Sequence, residues 1–110
     1  MIEKTVLDYL QRKLQVPCFM EAPEHPPAVY VLIEKTAGSR TNQINAATIA
    51  VQSIAETLLN AATLSETVVE AMLDIWKTEN VFKCELNSSY NFTNTRTNQY
   101  RYQAVFDLSF

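Results

Sequence analysis

The sequence holds one glycine, Gly38, among 110 residues. Walker-type phosphate loops and dinucleotide fingerprints need several glycines so that backbone can approach a phosphate, and both are excluded. Histidine is as scarce, with His25 alone in Glu24-His25-Pro26-Pro27. The two cysteines, Cys18 and Cys84, lie far apart, unlike the dense disulfide frameworks that staple small secreted domains. Positive charge is also short. Nine Lys and Arg against twelve Asp and Glu give a formal net charge of -3 and a pI near 5.0. Nonspecific nucleic-acid binding needs clustered Lys and Arg to displace counterions, so the balance argues against it. No apolar run reaches the ~18–20 residues of a membrane span. Met1-Ile2-Glu3-Lys4 leads straight into an amphipathic pattern with no apolar signal region, so a cytoplasmic location is expected. Asn87-Ser88-Ser89 and Asn91-Phe92-Thr93 match the glycosylation sequon, and without a secretory signal they read as chance.

What is present is a globular composition, 47% hydrophobic and 19% charged. One domain over residues 1–110 is expected, able to bury roughly 60–70% of its unfolded surface. Ile2, Val6, Leu7, Leu10 and Leu14 repeat at helical spacing opposite Glu3, Lys4, Asp8, Gln11 and Arg12, which predicts a first helix with one buried stripe. Val16–Met20 reads as a short edge strand, since Pro17 has no N–H for a ladder. The segment from Ala22 to Pro27 holds three of the four prolines and reads as irregular. Ala28 to Thr36 is β-branched and aromatic, a strand apolar on both faces. Ala37 to Arg40 then predicts a turn around Gly38.

The stretch from Thr41 to Gln52 fits two periods. Ile44, Thr48, Val51 and Ala55 form a helical stripe, while Asn45, Ala47, Ile49 and Val51 alternate as in a strand. A turn directly after a strand favours a hairpin, which predicts strand to about Gln52 and helix from Ser53, with Ser53 and Glu56 as a capping box. That helix runs to about Ala62. Ser65 is expected to cap a further helix presenting Val68, Val69, Met72, Leu73 and Trp76. Phe82, Cys84 and Leu86, then Tyr100, Tyr102, Ala104, Phe106, Leu108 and Phe110, alternate with polar residues and predict an antiparallel hairpin. Its connection, Asn91 to Asn98, is rich in Asn and Thr. The expected fold is α+β, an antiparallel or mixed sheet with helices packed on one face, in the order α-β-β-β-α-α-β-β. Phe82, Leu86, Tyr102, Ala104, Phe106 and Leu108 should face the helices, together with Leu10, Leu58, Leu73 and Trp76.

Chemistry is hard to find. His25 has no nucleophile or orienting partner in its segment, and with Glu21 and Glu24 it matches no closed metal site. The cysteines fall at inward strand positions, where a thiol behaves as a small hydrophobe. Tyr90, Phe92, Tyr100 and Tyr102 with Arg96 and Arg101 have the makings of a base-stacking platform. Aromatics at every second position of a hairpin are more simply cross-strand pairs, and the acidic chain favours that reading. No catalytic, cofactor-binding or metal-ligating residues are expected. What stands out is a polar, Lys-poor surface at Arg40–Asn45 and Asn87–Arg101, and Lys is depleted at protein interfaces while Arg is enriched. The same composition suits an ordinary solvated face; read as an interface, it makes Arg40, Thr41, Asn42, Gln43, Asn91, Thr93, Arg96, Asn98 and Arg101 the candidate subunit-interface residues.

Four segments also carry a resemblance. Glu34-Lys35-Thr36-Ala37-Gly38, Ala50-Val51-Gln52-Ser53, Asn87-Ser88-Ser89-Tyr90-Asn91-Phe92-Thr93 and Tyr100-Arg101-Tyr102-Gln103-Ala104-Val105-Phe106-Asp107 are similar to the tail-terminator (tail-completion, minor tail protein) family of siphophages and prophages in Gram-positive bacteria. The resemblance implies an α+β structural subunit without catalytic residues or cofactors. It implies a homo-oligomer, a hexameric ring on the head-proximal end of the tail tube. An interface of polar, Lys-poor segments is expected to be weak between free subunits and completed on the tube, which makes the chain monomeric in dilute solution yet hexameric in the virion. The implied partners are the tail tube protein and a head-completion protein, with no membrane and no sequence-specific nucleic acid. The implied location is the host cytoplasm during assembly and the virion tail afterwards. It also favours strand over helix for Thr41–Gln52. Two other readings stay open: a head-closure or neck protein of the same virion, and, in another class, a small host enzyme or nucleic-acid-binding domain.

Overall fold

The computed structural model describes residues 1–77, 79–97 and 99–110. The elements follow as α1 (Ile2–Lys13), β1 (Cys18–Phe19), β2 (Tyr30–Thr41), β3 (Ile44–Ala55), α2 (Leu58–Leu73), a 3-10 turn (Ile75–Lys77), β4 (Lys83–Asn91) and β5 (Tyr100–Ser109). The fold is α+β. Five strands form a mixed sheet in the order β1-β2-β3-β5-β4, with β1 parallel to β2 and every other neighbour antiparallel.

Strand alternation decides which face is dry. Val31 and Ile33 of β2, Ala47, Ile49 and Val51 of β3, and Ala104, Phe106 and Leu108 of β5 join one buried cluster with Ile2, Val6, Tyr9 and Leu10 of α1 and Val68 and Met72 of α2. The helices therefore cover a single face. Phe106 is fully buried at its centre, and its truncation to Ala costs about 3–5 kcal/mol, a large part of a small domain's stability. The opposite face carries Leu32, Gln52, Gln103 and Tyr90 in one row, and Thr48, Asp107 and Glu85 in another.

Several expectations need correction. The turn after β2 falls at Asn42–Gln43, not at Ala37–Arg40, and Gly38 stays within the strand. Asn42 and Gln43 have φ of 51° and 64°, the pair of positive values that a two-residue type I′ hairpin demands. Within the expected strand Thr41–Gln52, Thr41 closes β2, Asn42 and Gln43 make the turn and Ile44–Gln52 is strand as expected, but β3 runs on to Ala55, because Ser53 and Ala55 continue the buried alternation. Ser53 is thus a buried strand residue and caps nothing. The cap of α2 is Thr57, whose side chain accepts from the Asn60 N–H at 3.1 Å.

The two expected middle helices are one. No Gly or Pro interrupts residues 58–73, so the helix passes through Ser65 with that residue buried against the sheet. Its inward stripe is Ala61, Ser65, Val68 and Met72. Leu58, Leu73 and Trp76 accordingly point outward, with Trp76 55% exposed. Phe82 is 77% exposed, and Leu86, although on the helix side in register with Phe106 as expected, is 42% exposed, because they stand at the sheet's outer edge, where only one neighbouring strand exists. The hydroxyls of Ser53 and Ser65 lie in the helix–sheet layer without a partner among the described residues, each at a cost of about 1–3 kcal/mol.

Candidate interaction surfaces

The β2–β3 hairpin outgrows the body that carries it. Each strand has twelve residues, roughly 40 Å of extended chain. The helices, of 12 and 16 residues, span only about 18 and 24 Å. The molecule is accordingly elongated, 44 × 25 × 24 Å. Every residue from Glu34 to Ile44 is exposed, and so the candidates Arg40, Thr41, Asn42 and Gln43 sit together at the tip of an arm. β5 supports the β3 side of this arm as far as Asn45, which exchanges backbone hydrogen bonds with Phe110 at 2.9 and 3.0 Å. The outer edge of β2 has its β1 partner only at Val31 and Leu32.

The second expected surface, at the β4–β5 end, spends most of its polar groups on itself. Asn91 Oδ1 accepts from the Thr93 N–H at 3.0 Å, and Asn94 Oδ1 accepts from the Arg96 N–H at 3.0 Å. These are side-chain turns that hold the connection, joined by an Asn94–Gln99 bridge. Tyr90 and Phe92 meet edge to face at 6.0 Å. Arg96 is exposed. Asn98 lies outside the described residues.

Arg101 belongs to a ladder across the helix-free face. Its guanidinium donates to Gln52 Oε1 at 2.9 Å and to Gln99. Gln99 donates to the Tyr30 hydroxyl at 3.0 Å, Gln52 donates to Gln103 Oε1 at 3.1 Å, and Gln103 donates to the Tyr90 hydroxyl. Four strands are stitched by side chains that the sequence shows only as scattered Gln and Arg at alternating positions. One row further, Asp107 accepts from Thr48 at 2.8 Å and from Asn87 at 2.9 Å. Those two hydrogen bonds, that from Asn87 first, hold its carboxyl below the ordinary range.

A third surface was not anticipated. Between α2 and β4 runs a groove of about 420 Å³ lined by Ala62, Ser65, Glu66, Val69, Glu70, Leu86, Ser89 and Tyr102. Glu66 and Glu70 are an i,i+4 pair of like charge, which costs a helix about 0.2–0.5 kcal/mol. Among the described residues no cation lies within ion-pair reach of either. The sequence signal was Val69 and Glu66/Glu70 together on a helix with no Lys or Arg.

The groups with chemical potential are dispersed. His25, Glu21 and Glu24 are exposed in the proline-rich segment. Among the described residues no three His, Cys, Asp or Glu side chains gather as a metal-ligand set. Both thiols are free. Burial pushes Cys18 up to about 11, and burial followed by the nearby Asp107 and Glu85 charges pushes Cys84 up to about 12. Neither is a thiolate near neutrality. Among the described residues no helix is long and apolar enough to cross a membrane. No known family model and no curated protein matches this sequence.

Proposed function

We propose that this chain is a non-enzymatic assembly subunit that joins copies of itself into a ring, and that the ring terminates a phage or prophage tail tube and joins tail to head. The observation that carries the assembly reading is the arm, where eleven consecutive residues from Glu34 to Ile44 stay exposed. A hairpin that buries so little in its own chain offers side chains and strand edge to another. Support for the tail-terminator part comes from the sequence resemblance, whose segments include Glu34–Gly38 on the arm and Asn87–Thr93 on β4 and the following connection. An α+β fold agrees with that family. The partners are then the tail tube protein on one side of a homohexameric ring and a head-completion protein on the other. Subunits related head to tail close such a ring when the rotation closes.

The test is complementation of a phage deleted for this gene. Arg40→Glu and Arg96→Glu should each abolish tail capping, giving tails of uncontrolled length without heads. Their thermal midpoints should stay near the parent's, because exposed charges contribute about 0–1 kcal/mol to folding. Tails of normal length joined to heads in both variants would show that these hairpins are not the contact.

A further inference from the structure

The sheet ends in two different free edges. On one side is β2 beyond Leu32, and on the other is β4 along its whole length, Lys83–Asn91. Their directions are fixed by the pairing. β2, β3, β5 and β4 are antiparallel neighbours in turn, so β2 and β4 run oppositely. A second copy in the same orientation, placed alongside, brings its β2 edge antiparallel to the first copy's β4. Nothing needs to be turned over.

Charge fits the same arrangement. The register puts Lys35, Gly38 and Arg40 on the helix side of the sheet, in line with Ile49, Ala47 and Asn45 of β3. From Lys35 to Ala47 the arm has these two cations and no acidic residue. Helix α2 has Glu66 and Glu70 and no basic residue, and both carboxylates line the groove above β4. A strand added to β4 would present its helix-side cations to that acidic wall. Leu86 and Val69, an apolar pair in the groove, would meet whatever lies between the cations.

What lies between them is Gly38. Its φ is not positive, so the backbone does not require glycine there. A Cβ would approach the Lys35 Cε to 2.9 Å, the end of a flexible side chain, and the Ala46 carbonyl oxygen only to 3.7 Å. One chain alone thus has no strong use for the glycine. Glycine within a strand marks a bulge, a bend or close approach by another surface; the register shift of β2 lies before Gly38, between Lys35 and Ala37, which leaves room at Gly38 itself for such an approach.

From these three observations we propose that the free half of β2 in one copy pairs antiparallel with β4 of a second copy, with Lys35 and Arg40 against Glu66 and Glu70 and with Gly38 over Leu86 and Val69. The contact is heterologous: each copy gives an arm and receives one. It rests on the assembly reading above and adds the α2–β4 groove as the surface that receives the arm, leaving the β4–β5 connection to the ring's other contacts.

Sedimentation velocity over a concentration series, up to the solubility limit, tests it on the intact chain. The parent should self-associate. Arg40→Glu and the pair Glu66→Lys/Glu70→Lys should each weaken association about tenfold or more, and the combined charge swap should recover most of the loss. Gly38→Val should remain folded by circular dichroism yet lose association. A parent that associates while all of these variants associate equally well overturns this contact and leaves the assembly reading standing. A parent that stays monomeric throughout overturns both. Charge-reversed variants that are weakened but not rescued by the swap place Arg40 and the glutamates in separate contacts, which also overturns the pairing.

Discussion

The Tyr9 hydroxyl donates to the Ala71 carbonyl at 2.6 Å, tying α1 to α2 across 62 positions of chain. Tyr9 is 1% exposed, so this hydrogen bond is shielded from water. The Ala71 carbonyl also accepts from the Asp74 N–H and keeps a partner when the hydroxyl is removed. Tyr9→Phe should therefore cost about 0.5–1.5 kcal/mol, read as a fall of several degrees in the thermal midpoint. An unchanged midpoint would mean the bond contributes nothing net.

The β2–β3 turn has a side chain where glycine is easier. Gln43 at φ 64° bears the steric cost that L-residues meet in the left-handed region, roughly 1–2 kcal/mol. Asn-Gly is the favoured type I′ pair. Gln43→Gly should raise stability by about 0.5–1 kcal/mol after glycine's own entropic cost, measured by urea unfolding. Destabilisation would show that the Gln43 side chain makes a compensating contact.

Alkali should loosen the fold through its buried acids. Cys18 and Cys84 rise from an ordinary 9.0 to about 11 and about 12, and burial raises Tyr9 above 10.0. The unfolded chain then releases these protons before the folded one does. Their contribution is complete below pH 9 and is lost as pH climbs from the unfolded toward the folded values. Urea midpoints should fall above pH 9, and less steeply in a Cys18→Ala/Cys84→Ala variant. Equal slopes in both proteins would remove the thiols from the explanation.

Asp107 acts at the other end of the scale. Its folded pKa lies below 3.8 because Asn87 and Thr48 hydrogen-bond the ionised form. The stabilisation is present above the unfolded pKa and disappears as pH drops through the folded one. Carbon-detected NMR should place its titration below that of an ordinary Asp. In Asn87→Ala/Thr48→Val it should return toward 3.8, and a titration unmoved by those changes would refute the assignment.

The sequence displayed the fold where period and burial agree. Ala104, Phe106 and Leu108 alternate with Gln103, Asp107 and Ser109, broken only by Val105, and Val6 and Leu10 sit one helical turn apart, so β5 and α1 were legible. It was ambiguous where apolar residues ran together. Val68-Val69 and Met72-Leu73 each offer two adjacent apolar residues, and only packing selects Val68 and Met72 as the inward pair. Ser53 and Ser65 have the chemistry of caps, yet both lie buried in continuous elements, because a hydroxyl is small enough for the core. The arm was half legible. Its polar character was plain, but its reach depends on the turn falling at Asn42–Gln43, where neither residue is the chain's one glycine. Of the groove only the acidic wall, Glu66 and Glu70 on a helix without Lys or Arg, was visible, because Val69 and Leu86 come from elements that only the sheet order brings together.

That sheet order also governs how the chain reaches its native state. The β2–β3 and β4–β5 pairs each join segments adjacent in sequence, so each hairpin closes over a short connection. The β3–β5 ladder begins at Ala55 and Tyr100, with all of α2 and β4 between them. Closing so long a loop costs entropy before any contact rewards it, and topologies of this kind fold slowly. The two hairpins should therefore appear early and separately, and the seam between β3 and β5 should be the last ladder to gain protection from hydrogen exchange. Ribosomal synthesis releases the arm-bearing hairpin first. Until β5 emerges, the inner edge of β3, with Ile49 and Val51, is bare, and during that interval the nascent chain is most open to pairing with the wrong strand.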